Sequence, residues 1–108
     1  MAEYSLAHVG INAENPDEAL KAAKMFETLF GMIVKEGNSS VFAGTGVEVM
    51  KTPSKGTHGH IAIGTNSLDR AVYHLSRQGA AFDESTRKPK AIYLKDEVAG
   101  FAIHLMQK

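Results

Sequence analysis

The feature that most constrains this chain is a pattern written twice. Residues 7–12 read "AHVGIN" and residues 59–64 read "GHIAIG". Each places a histidine second, alternates small and apolar residues behind it, and runs into a segment of helical spacing. His8 and His60 are 52 positions apart (60 − 8), and the same offset sets Ile11 on Ile63 and Ala19 on Ala71. A chain of 108 residues has room for one domain with a modest core. A repeat of this length is therefore read as two halves of one fold.

The first half opens with "YSLAHVGIN", which alternates with period two and predicts a strand. Leu6, His8 and Gly10 are expected on one face, and Ala7, Val9 and Ile11 on the other. A helix is expected next: Asn15 as N-cap, Pro16 in the first helical position, Asp17 and Glu18 at the positive helix start, Gly31 just past the end. Short strands follow at "MIVKE", "SSVFAG" and "GVEVMK". The second half repeats the order. "HGHIAIG" is a strand and "NSLDRAVYHLSRQG" a helix, capped by Asn66 or Ser67 and stopped by Gly79. Further strands follow at "AAFDE", "KAIYLKD" and "GFAIHLMQ". Each half reads β-α-β-β-β. The expectation is a single α+β domain over residues 1–108, with one module at about 4–52 and another at about 57–108.

Alternation then sorts the side chains. In "GVEVM", Val47 and Val49 oppose Glu48 and Met50. In "FAIHLM", Phe101, Ile103 and Leu105 oppose Ala102, His104 and Met106. In "HGHIAIG", Ile61 and Ile63 oppose His58, His60, Ala62 and Gly64. Four strands thus have an aliphatic face suited to a helix. The other face of each carries one ligand-type side chain among small residues or Met, which leaves room for a bound group. A solvated strand face would instead show Lys, Thr or Glu. Tyr93, between Ile92 and Leu94, is expected on the cavity side. Met50 and Met106 point with the ligand-type residues as pocket lining. Phe26, Phe30 and Phe101 are core candidates, and His58 and His74 read as surface residues.

Composition excludes little but usefully. Twelve acidic and twelve basic residues cancel, which argues against the basic field of a nucleic-acid binder. There is no cysteine, hence no disulfide or thiolate site. The start "MAEYSLAHVG" has no signal-peptide pattern, and no apolar run approaches the ~20 residues of a membrane span. A cytoplasmic protein with no nucleic-acid or membrane partner is expected. Lys51, Lys55, Arg87, Lys88 and Lys90 read as solvated loop charges.

Taken in order, "HVGI", "FETLFGM", "GVEVM", "GHIAIG" before "LDRAVYHLSRQGAAF", and "AGFAIHLMQK" resemble the vicinal oxygen chelate superfamily, which includes glyoxalases, bleomycin-resistance proteins and extradiol dioxygenases. The resemblance covers almost the whole chain. It implies two βαβββ modules whose mixed sheet curves around a cavity, with the helices on the outer face. It implies metal ligands on the first and last strand of each module: His8, Glu48, His60 and His104. The cofactor implied is a divalent ion: Zn, Ni, Mn, Co or Fe. His104 departs from the glutamate usual at that position in glyoxalase I, so Glu48 is the expected proton acceptor. The activity implied is that of an isomerase or lyase acting on a small oxygenated substrate, such as an α-hydroxycarbonyl or a sugar-derived keto acid, in a homodimer. Other readings stay open. One is a non-catalytic binding or resistance module. Another is an accessory domain like those associated with bacterial keto-deoxy-phosphogluconate or keto-hydroxyglutarate aldolases. A third is a non-haem iron dioxygenase.

Overall fold

The structure, a computed structural model, describes residues 2–108. β1 (Tyr4–Asn12) leads into α1 (Pro16–Phe30), then β2 (Val34–Glu36), β3 (Ser40–Ala43) and β4 (Val47–Met50). The second half follows as β5 (Gly59–Thr65), α2 (Leu68–Arg77), β6 (Phe82–Lys88), β7 (Ala91–Leu94) and β8 (Phe101–Gln107). All eight strands form one curved mixed sheet in the order β2-β3-β4-β1-β5-β8-β7-β6. Each half has its last strand parallel to its first, and the halves join where β1 runs antiparallel to β5. Neither helix is long and apolar enough to cross a membrane among the described residues.

The helix ends follow from local chemistry. The Asn15 side chain accepts the Glu18 backbone N–H at 2.8 Å, satisfying one of the donors a helix start leaves free. Gly31 adopts the left-handed conformation (φ 68°) and donates its N–H to the Glu27 carbonyl, closing α1. Ser67, rather than Asn66, caps α2. Each helix lies on the aliphatic face of its own half-sheet. Ala19 and Ala23 of α1 pack on Val41, Ala43 and Val49. Leu68 and Ala71 of α2 pack with Phe82, Ile92 and Leu105. Two small cores thus hold the halves, and the opposite face of the sheet is left clear of helices.

Three expectations need correction. Leu6 does not share a face with His8: the β1–β5 register slips between them, so that Leu6 pairs with Ile63 and His8 with Ala62. This bulge reverses the alternation of the strand's first half and turns Leu6, 63% exposed, to the outer face. Phe30 is not core; it is 67% exposed. Its ring lies tilted against that of Phe26, centroids 6.2 Å apart, because it sits in the last turn of α1, beyond what the short β2–β4 strands cover. Finally, Arg87 and Lys88, expected in a loop, lie in a strand. Residues 84–88 continue β6, with a register shift between Asp83 and Lys88. The Thr86 hydroxyl bridges the irregularity, donating to the Asp83 carbonyl and accepting the Tyr93 backbone N–H at 3.0 Å. A polar stretch can thus hold a strand where side-chain hydroxyls replace ladder bonds.

Candidate metal centre

Register builds the site in two adjacent rows across the helix-free face. The first row runs Phe42–Glu48–Gly10–His60–Ala102 through β3, β4, β1, β5 and β8. The second, two residues along, runs His8–Ala62–His104–Tyr93–Asp83 through β1, β5, β8, β7 and β6. Gly10 and Ala62 are equivalent in the two halves. Glu48 beside Gly10 is therefore the counterpart of His104 beside Ala62, and Phe42 is the counterpart of Tyr93.

Three side chains converge. His8 Nε2 lies 3.3 Å from Glu48 Oε1, His60 Nε2 lies 3.2 Å from the same oxygen, and the two Nε2 atoms are 3.2 Å apart. Three donors at the corners of a nearly equilateral triangle of this size suit one first-row ion. Ligands about 2.0–2.2 Å from such an ion stand about 3.0–3.4 Å from one another. Among the described residues these three form the cluster whose ligand atoms are mutually close enough to hold a metal. The chemistry of the set, two imidazoles and one carboxylate, fits a divalent transition metal.

The neighbourhood explains the convergence. Gly10 is where it is because a Cβ there would strike the His60 ring, which lies over the glycine backbone. Glu48 is held from behind. Buried Ser40 donates its hydroxyl to Oε2 at 2.7 Å, leaving Oε1 for the histidines. Phe42 meets the His8 ring edge-on at 5.8 Å. His60 is 5% exposed. Burial pushes its pKa down, while the Glu48 carboxylate pulls the other way. Its Nδ1 is buried without a hydrogen-bond partner among the described residues.

His104 does not join the triangle. Its ring stacks on Tyr93, with centroids 4.1 Å apart and planes 6° from parallel, while its centroid is 6.4 Å from that of His60. Burial above all, with His60 and His8 nearby, lowers its pKa to about 4. Tyr93 is on the face expected of it, and burial raises its pKa. Lys55, from the β4–β5 connection, reaches over this ring at 5.2 Å and sits 3.8 Å from Asp83. Met50 lies half-buried in register with Ser40 and Asn12, and Met106 with Gly64 and Ala91. His58 and His74 are exposed. Sequence reasoning passed over Ser40, Phe42 and Gly10. The signal for the first two was present: a tight β3–β4 turn at Gly44–Gly46 sets Phe42 opposite Glu48 and Ser40 opposite Met50.

No protein-family model and no curated protein matches the sequence. Solved structures do share its fold. A hypothetical protein from Bacillus halodurans superposes with a TM-score of 0.68 at 17% identity, over 98% of this chain and 95% of its own. A Streptomyces coelicolor methylmalonyl-CoA epimerase variant in complex with 2-nitronate-propionyl-CoA gives 0.63 at 17% identity, over 95% and 96%. The methylmalonyl-CoA epimerase of Mycobacterium tuberculosis gives 0.63 at 21% identity, over 94% and 86%. At these identities the likeness is one of fold.

Proposed function

We propose that this chain is a metal-dependent member of the vicinal oxygen chelate superfamily. In this reading it is an isomerase or lyase that moves a proton beside a carbonyl in a small substrate with neighbouring oxygens, such as an α-hydroxycarbonyl or a sugar-derived keto acid. The observation that carries the reading is the convergence of His8, Glu48 and His60 on one point. The epimerase neighbours, which have the same fold, favour the isomerase branch.

In this reading His8 and His60 donate Nε2 and Glu48 donates Oε1 to a divalent ion. When bound, the ion supplies Lewis acidity that stabilises negative charge developing on substrate oxygen. The protein's own residues do the rest. Two neutral imidazoles and one carboxylate cancel only part of a divalent charge, so the site stays attractive to an anionic oxygen. Ser40 fixes which carboxylate oxygen faces the site. Glu48 is the proton acceptor, at the cost of loosening its hold on the site. Met50 and Met106 offer pliable apolar walls, and Tyr93 a flat one.

The test begins with metal analysis of the purified protein beside His60→Ala. A stoichiometric first-row metal that is lost in the variant is expected. Chelator treatment, followed by assay on hemithioacetals and sugar-derived keto acids, then probes turnover. Full activity in metal-free protein would end the proposal. A second reading draws on the ligand set itself, since two histidines and one carboxylate with open positions suit non-haem iron and oxygen chemistry. Iron content with substrate-dependent oxygen consumption would select it. A homodimer in the cytoplasm belongs to the same proposal, and light scattering tests the dimer.

A further inference from the structure

His104 occupies in the second half the register position that Glu48 occupies in the first, yet only Glu48 reaches the shared point. The two side chains are held differently. Glu48 is aimed at the point by the Ser40 hydroxyl on its Oε2, whereas His104 is stacked nearly face to face on Tyr93. Tyr93 is itself fixed by its backbone bond to Thr86, with Lys55 over its ring.

We infer that Tyr93 is a positioning residue that holds His104 away from the metal, keeping the site at three protein ligands and its remaining positions free for two substrate oxygens. The inference rests on the metal-site reading above. Letting His104 in would add a fourth protein ligand and take one of the positions that the three-donor site leaves open. The phenyl ring of the tyrosine, not its hydroxyl, makes the stack, so Tyr93→Phe should preserve the arrangement and Tyr93→Ala should abolish it.

The test counts ligands rather than turnover. The protein is loaded with Cu(II), pulsed EPR counts the coordinated imidazoles, and competition with a chelator gives the affinity. Wild type and Tyr93→Phe should show two imidazoles. His104→Ala should also show two, with unchanged affinity. Tyr93→Ala should show three, with binding about threefold to tenfold tighter, as expected when release of an aromatic stack frees the ligand. Three imidazoles in wild type, falling to two in His104→Ala, would overturn the inference. So would a folded Tyr93→Ala protein that still shows two. The site reading fails separately if His8→Ala removes no imidazole and leaves copper affinity unchanged.

Discussion

Gly10 shows how a single atom can govern a site. Gly10→Ala would drive a methyl group into the His60 ring, and the ring must leave the triangle. Metal affinity should fall by at least about tenfold, read by calorimetric titration with Zn(II). Ser40→Ala removes the hydrogen bond that aims the Glu48 carboxylate. Losing such an outer-shell partner should weaken metal binding about tenfold to a hundredfold, again by titration, with circular dichroism unchanged. His104 sets a pH dependence in the metal-free protein. Its unfolded imidazole titrates near 6.5 and its folded one at about 4. Between those values the unfolded chain holds a proton that the folded chain does not. The stability from neutral His104 is therefore complete above pH 6.5 and is lost as the pH falls toward 4. Because the ring is only half-buried, the effect should be about 1–2 kcal/mol, well short of the full shift. Urea midpoints at pH 7 and 4.5 should differ less in His104→Gln than in wild type; equal differences would refute this assignment.

Among the elements, α1 and α2 were plain in the sequence because caps and stops act within four or five residues. Asn15→Ala removes the Glu18 N–H acceptor. It should cost about 1 kcal/mol by chemical denaturation and leave Zn(II) affinity unchanged, since α1 lies on the face opposite the site. The strands were legible in number and order of appearance, since period two and glycine turns are also local. Their irregularities were not. The bulge before His8 and the shift after Asp83 depend on which strand lies alongside, and a strand does not carry its neighbour's identity. Likewise Phe30 satisfies the helical period yet stays exposed, because only the extent of the sheet beneath it decides burial.

At the scale of the molecule, the proposed ligands bridge both halves: His8 and Glu48 come from the first and His60 from the second. A metal held there should stabilise the whole fold. Zn(II) at about 100 times its dissociation constant should add about 2.7 kcal/mol, raising the melting temperature by roughly 10–20 °C for a domain of this size. The gain should vanish in Glu48→Ala. The sequence alone determined the doubled βαβββ plan and which side of each strand carries the ligand-type side chains, since both are set by short-range periodicity and by an offset repeated along the chain. Tertiary structure alone decided that β1 pairs with β5, that His8, Glu48 and His60 meet while His104 turns to Tyr93, and that Gly10 makes the meeting fit. Those outcomes depend on register and on clashes of an ångström or two between strands far apart in the chain, which local patterns do not encode.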